Sequence, residues 1–278
     1  YNKTLLDKAG ISVKDNMTIE EFMQLSAQIY KKTGVKTDFG YGTNMVIDYL
    51  CRGEGATLYG DKKFNASEKD VSVYFKVYER GTKEGWLVSP TIFAERTVGS
   101  VEQMPLVYGS SGENMSWCAF AWSNQMNAFT KAAPEGMELG VTTWPAKDPV
   151  KADYLKPSQF FSVSVDSKEP EIAAKVIDYV TNSVDCNNVL LGERGIPASS
   201  AVAEAIAPNF DSVNQAVIHF INDVVSPNCS AISPSEPAEA AQVYKEMFSY
   251  VDKVCYGMIS ADKAASEFYA AGNKILGK

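Results

Sequence analysis

A single histidine in 278 residues, His219 in the run AVIHFI, leaves most histidine-dependent hydrolase and zinc chemistries without their parts. Its apolar neighbours predict a helix-packing histidine. None of the five cysteines (Cys51, Cys118, Cys186, Cys229 and Cys255) forms a CxxC pair or falls at zinc-ligand spacing. They read as small buried hydrophobes, and their odd count leaves at least one unpaired within the chain. No apolar run approaches the roughly 20 residues of a membrane span. No basic-then-apolar leader precedes YNKTLLDKAG, an abrupt opening that reads as a processed or truncated chain and says little about location. Positive charge is not in excess either. The formal net charge is -8 and the pI about 4.9, and no basic stripe carries interleaved aromatics, so nucleic acid is not an expected partner. No internal repeat, catalytic constellation, metal cluster or cofactor site is expected.

What is present is a soluble globular composition, 45% hydrophobic and 22% charged, of a length that suits one large domain or two small ones. NMTIEEFMQLSAQIYKKTG reads as a helix. Thr18 is an N-cap with Glu21 three residues later as in a capping box, and Gly34 closes the end. Helices are also predicted in MVIDYLCRGEGA, in SEKDVSVYFKVYERGTKEG after a Ser67 cap, in NQMNAFTKAA, and in KEPEIAAKVIDYVTNS with Pro170 in its first turn. AEAIA, DSVNQAVIHFINDVV, AEAAQVYKEMFSYVDKVCYG and SADKAASEFYAAGNKIL complete them. Strands are predicted in DFGYGTN, SWCAFAW, MELGVTTWP and FFSVSVD, and residues 88–113 read as a helix fragment and a loop. Strands alternating with helices make the class α/β, rich in helix.

The stretch CAFAWSNQ, residues 118–125, is the most suggestive. In an extended chain alternate side chains share a face, so Phe120 and Trp122 point the same way and Asn124 arrives where the strand ends. Either this is a core strand with rings packed beneath helices, or it is an aromatic platform beside polar groups. Ligands in open α/β sheets sit outside the carboxyl ends of strands. A flat ring covers the apolar face of a sugar while amides and hydroxyls pair with its rim.

The wording and order of these pieces resemble an extracellular solute-binding protein of family 1, the maltose-binding-protein-like carbohydrate receptors of ABC importers. YNKTLLDKAGI followed by TIEEFMQLSAQI is similar to that family's segment after its first crossover. WCAFAWSNQ resembles its strand-to-helix step, where aromatics stand over the ligand. LGVTTWPA, FFSVSVDSKEPEIAAKVIDYVTNS, RGIPASSAV and GMISADKAASEF resemble, in family order, the next strand, the hinge strand with its following helix, a turn and the last helix. The resemblance spans the chain from Tyr1 to Lys278, but the family's first lobe begins upstream of it.

The fold this implies is a periplasmic-binding-protein-like (type II) lobe two. Residues 1–161 and 212–278 make that lobe, and 162–211 make an orphaned part of lobe one with the hinge. Apolar positions such as Ile172, Val176 and Ile177 would then lack a partner. The implied function is capture of a solute, a sugar or oligosaccharide, for an ABC importer without catalysis. Implied partners are a small-molecule ligand and the permease subunits. The implied location is extracellular, cell-surface or periplasmic, with membrane contact only through a lipid anchor upstream.

Candidate ligand-binding residues are Tyr41, Phe120, Trp122, Asn124, Gln159, Phe160 and Tyr244. Tyr41 is alternatively a turn tyrosine between glycines, Gln159 and Phe160 a surface loop, and Tyr244 a core tyrosine. Arg194 reads as a helix cap rather than a cleft residue, and the Asn-x-Ser/Thr sequons as chance. Besides a lobe whose role is purely protein contact with the transporter, two other functions stay open. One is a carboxylate-dependent carbohydrate-active enzyme, which needs two acids across a sugar site. The other is a receptor for a non-sugar solute such as a polyamine or peptide.

Overall fold

The computed structural model describes residues 1–277 except Glu95, Val98, Ser110, Ser158, Glu193 and Arg194. The reading of Arg194 as a cap lies outside the described residues. The first four helices are α1 (Lys3–Ala9), α2 (Ile19–Thr33), α3 (Met45–Glu54) and α4 (Glu68–Glu84). Two short ones, α5 (Pro105–Tyr108) and α6 (Met126–Ala132), flank the CAFAWSNQ stretch, and a single turn α7 (Pro149–Ala152) follows. Then come α8 (Pro170–Asn182), α9 (Val184–Leu190), α10 (Ser200–Ile206) and α11 (Ser212–His219), and the chain closes with α12 (Ala240–Cys255) and α13 (Ala261–Leu276).

The helix ends form for local reasons. Thr18 Oγ1 accepts from the Glu21 amide at 3.2 Å while Glu21 Oε2 accepts from the Thr18 amide at 2.8 Å, so two orphan donors are satisfied reciprocally. Lys14 and the same Thr18 groups hold the Glu21 carboxyl down at about 2. Ser67 and Asp70 repeat the box at α4. Gly34, Gly55 and Gly85 take the left-handed conformation that closes α2, α3 and α4.

Among the described residues the predicted strands SWCAFAW and MELGVTTWP are reduced to single bridges, and DFGYGTN forms none, the pairing falling just before it at Lys36 and Thr37. Lys36 pairs with Ser116, Thr37 with Leu87, and Asn2 with Leu139. Backbone bonds Thr37 N to Trp86 O (2.8 Å), Trp117 N to Lys36 O (3.0 Å), Asn2 N to Trp117 O (2.8 Å) and Gly140 N to Tyr1 O (2.8 Å) line these segments up side by side. A small sheet order results: 86–88, 36–38, 115–118, 1–2, 139–140. The ladder stops after one or two rungs because the Ser116 hydroxyl takes over. It accepts from the amides of Asp38 (2.7 Å) and Cys118 (3.1 Å) and donates to the Cys118 carbonyl (2.6 Å). The strand expected at FFSVSVD does not form: the segment has no bridge, and Val165 is fully exposed.

One core holds α1 to α4, α12, α13 and this small sheet. Phe39 is its hub, with ring centroids of Phe120 at 5.1 Å, Tyr78 at 5.5 Å and Phe22 at 5.7 Å. α13 packs along α4, and Gly81 of α4 is where Trp86 crosses: a Cβ there would meet the indole at 2.7 Å. Smaller clusters gather at Val101, Leu106, Val107 and Phe129, and at Val202, Ile206 and Phe210. Residues around α8 contrast with all of this. α8 buries no side chain, and Ile172, Val176 and Tyr179 are 57%, 56% and 57% exposed, while Ile177 is half-buried.

His219 does not pack as expected. It is exposed at the end of α11, with Nδ1 3.3 Å from Asp223 Oδ2. The cysteines are all free, with Cys51 and Cys118 buried and Cys186, Cys229 and Cys255 half-buried. No described helix is long and apolar enough to cross a membrane.

Candidate functional site

A cavity of about 730 Å³ opens between residues 117–157 and residues 192–225, a size that suits a small organic ligand. CAFAWSNQ forms one wall. Phe120 and Trp122 both line it, as alternation requires, but they differ in depth. Phe120 is 5% exposed and belongs to the core, edge-on to Phe22 at 5.7 Å and tilted on Trp144 at 5.1 Å. Trp122 is half-buried, with Tyr154 6.0 Å away in T-shaped contact and Lys156 Nζ 4.6 Å from its ring centroid.

Past Trp122 the chain turns at once. The Trp122 amide donates to Gln125 Oε1 at 3.0 Å, and the 3-10 turn Ser123–Gln125 leads into α6. That turn sets Asn124, exposed, at the cavity mouth. Asn127 Nδ2 donates to Asn214 Oδ1 at 2.9 Å, tying α6 to α11 across the cavity. Beyond α11 the helix widens into a π-turn over Phe220–Val225, and four of its residues, Phe220, Ile221, Asn222 and Val225, line the opposite wall. Inserted π-turns occur often at functional sites.

The remaining wall comes from TTWP and from 153–157. Tyr49 of α3 sets its ring against Trp144 at 5.3 Å. Its hydroxyl lies 2.7 Å from the Trp144 carbonyl and 2.8 Å from Asp153 Oδ1. Asp153 is 7% exposed, and burial pushes its carboxyl up to about 6 against the opposing pull of Tyr49 and Arg52. Arg52, itself buried, donates to Ala152 O (3.0 Å), Ser233 Oγ (3.0 Å) and Ser230 Oγ (2.6 Å) and lies 4.7 Å over the Tyr154 ring. It thereby latches the returning loop 230–233 to α3 and α7 behind the cavity wall.

Phe120, Trp122 and Asn124 are thus brought together, and the other four candidates stand elsewhere. Tyr41 stacks on Phe93 at 4.6 Å and donates its hydroxyl to Asp252 Oδ1 at 2.8 Å. Tyr244 is 5% exposed in the core and donates to Glu236 Oε1 at 2.6 Å. Gln159 and Phe160 are exposed and do not line the cavity; Phe160 is 80% exposed. Sequence reasoning missed Trp144, Asp153, Tyr154 and Lys156. Trp144 directly precedes Pro145 at the end of an extended run, which is a signal. Asp153 and Tyr154 follow a Pro-started single turn too short for periodicity to reveal. Among the described residues no group of three His, Cys, Asp or Glu side chains is placed to hold a metal ion, and among the described residues Asp153 is the one carboxylate side chain lining the cavity.

No protein-family profile matches the sequence. Solved structures do share its fold. An extracellular solute-binding protein of family 1 from Alicyclobacillus acidocaldarius superposes with a TM-score of 0.80 at 22% identity, covering 100% of this chain and 69% of its own. A periplasmic solute-binding protein from Pectobacterium atrosepticum gives 0.78 at 19%, covering 99% and 70%. A periplasmic oligogalacturonide-binding protein from Yersinia enterocolitica, solved with saturated digalacturonic acid, gives 0.77 at 19%, covering 99% and 69%. Two structures described as de novo designed esterases also match. The fold of this chain is that of the periplasmic and extracellular solute-binding proteins.

Proposed function

We propose that this chain captures a carbohydrate, a sugar or short oligosaccharide, for uptake through an ABC importer, outside the cytoplasmic membrane, and performs no chemistry on it. The observation that carries the reading is the aromatic cavity itself. Trp122, Trp144 and Tyr154 offer flat apolar faces, and Asn124, Asn127 and Asp153 stand beside them. That is the division of labour a pyranose ring asks for. Its solute-binding fold and the oligogalacturonide receptor among the similar structures favour the same reading. A glycosidase needs two carboxyls flanking one bond, and the described lining offers Asp153 alone.

In this reading residues 1–161 and 212–278 form one lobe, and 162–211 belong to a second whose remainder corresponds to the roughly three-tenths of each relative's length that this chain does not match. One observation favours that division: the α8 face stands uncovered. Permease subunits and a lipid anchor on the other part of the protein complete the proposal.

The test is calorimetry at pH 7 with maltose, cellobiose, digalacturonic acid and spermidine. A saccharide should bind, and Trp122→Ala should weaken it roughly ten- to a hundredfold. Spermidine binding with no saccharide binding overturns the sugar reading.

A further inference from the structure

We propose that Asp153 is the acid on which the cavity takes a hydroxyl of its ligand, and that capture below neutral pH expels one proton; this rests on the sugar reading above.

The argument begins with hydrogens. A phenol has one to donate, yet the Tyr49 hydroxyl lies within 2.8 Å of two acceptors, the Trp144 carbonyl and Asp153 Oδ1. Each contact has a hydrogen of its own when Asp153 carries a proton on Oδ1; the alternative is one Tyr49 hydrogen shared between both acceptors. In the protonated form Asp153 donates to Tyr49, and Tyr49 donates to Trp144. The other oxygen, Oδ2, is buried without any hydrogen-bond partner, on a residue that lines the cavity. A buried acceptor left unmade costs about 1–3 kcal/mol, so a polar site that leaves one open is built for a donor. Trp144 and Tyr154 line the same cavity.

The charges around the acid select the donor. From α3, the Arg52 guanidinium sits behind Asp153 and donates to its backbone carbonyl at 3.5 Å. From its own segment, Lys156 lines the cavity and Tyr154 adjoins it, and Asp15 acts from the turn after α1. Among the described residues Lys156 lines the cavity and Arg52 stands behind Asp153, so an ammonium ligand would meet like charge there and a hydroxyl is the fitting donor. A hydroxyl bonds more strongly to the ionised carboxylate than to the neutral acid. On capture the ligand hydroxyl donates to Oδ2, the Oδ1 proton leaves to water, and the Tyr49 hydrogen turns from Trp144 to Oδ1. Burial, which holds the carboxyl at about 6, sets the pH range in which this shows.

The experiment is calorimetry of whichever saccharide of that panel binds, at pH 5 and pH 7.5, each in two buffers of different ionisation enthalpy. Wild type should release close to one proton per ligand at pH 5 and none at pH 7.5. Its affinity should fall about tenfold per unit below pH 6. Asp153→Asn, nearly isosteric, should release none at either pH and show a flat profile. Carboxyl carbon resonances of the free protein, assigned by their loss in that variant, should show Asp153 titrating near 6. A bound saccharide with no proton release at pH 5 in wild type overturns the proposal and leaves the sugar reading standing, as does an Asp153 that titrates near 4. Failure of every saccharide to bind at both pH values overturns both.

Discussion

Helix α4 buries Val71, Ser72, Tyr74, Phe75, Val77, Tyr78 and Gly81. Helix α8, whose Ile172, Val176 and Tyr179 repeat at i, i+4 and i+7, buries nothing. Each sequence carries an apolar stripe on a charged helix, which is all that an amphipathic pattern encodes. The difference lies in what stands opposite. α4 is faced by α13, α3 and α12, whereas the principal neighbour of α8 is the short α9. A stripe therefore announces a face and leaves its partner unnamed. Where one segment carries several exposed apolar side chains, with Phe160, Phe161, Val165 and Val189 near α8 in sequence, the partner is to be sought outside the described residues.

The largest way to break this comparison is to empty α4. Phe75 is fully buried, with Tyr74 edge-on at 5.4 Å and Phe268 of α13 at 5.7 Å. Phe75→Ala removes a ring from a site walled by helices that cannot close over the gap. The expected loss is about 3–5 kcal/mol of unfolding free energy, read by urea denaturation. A loss under 1 kcal/mol would mean that the α4 and α13 faces separate easily, and the contrast with α8 would dissolve.

A buried charge sharpens the same contrast. Asp38 is 2% exposed and Oδ2 has no partner, while Oδ1 accepts from the Tyr41 amide at 3.0 Å. Burial pushes its carboxyl up to about 6, against the amides of Tyr41 and Gly40. Unfolded, it would titrate near 4. The folded state therefore holds the extra proton between about pH 4 and 6. The stability this contributes is fully present below pH 4 and is lost as pH rises to about 6. Asp153 acts in the same direction. Asp38→Asn should flatten the decline by roughly 1–3 kcal/mol across that window, measured as urea stability at pH 4, 5, 6 and 7. An unchanged slope would show that water reaches Asp38.

Where the sequence could be read well, the cause was local. Thr18 with Glu21, and Gly34 beyond, define α2 without help from the rest of the chain, and Ser67 with Gly85 do the same for α4. Strands were read less well because their rungs depend on partners distant in sequence. The hydroxyl of Ser116 displaces ladder bonds that alternation in SWCAFAW leads one to expect. At the site, Phe120, Trp122 and Asn124 were visible because they adjoin one another, and alternation then fixes their side. Tyr41 and Tyr244 were equally aromatic and equally near predicted helix or strand ends. Only tertiary contacts with Asp252 and Glu236 decide that their hydroxyls turn elsewhere. Asp153 had no local mark, since its isolation comes from Tyr49, over 100 positions away.

The smallest expected effect tests α8 itself. Val and Ser differ little in helix propensity, and Val176 is 56% exposed. Val176→Ser in this chain therefore removes almost no buried area, and its unfolding free energy should change by no more than about 0.5 kcal/mol. Its solution behaviour should change more. If the stripe is an uncovered interface, the chain self-associates through it at high concentration, and Ile172→Ser with Val176→Ser should lower the weight-average mass seen by sedimentation. The two readings separate the possibilities. A stability loss above about 1.5 kcal/mol would mean that the α8 face is covered within the chain in solution, by residues other than those that face it here. An unaltered stability with unaltered sedimentation would mean that the face is tolerated in water, and that packing beneath a second lobe is not its purpose.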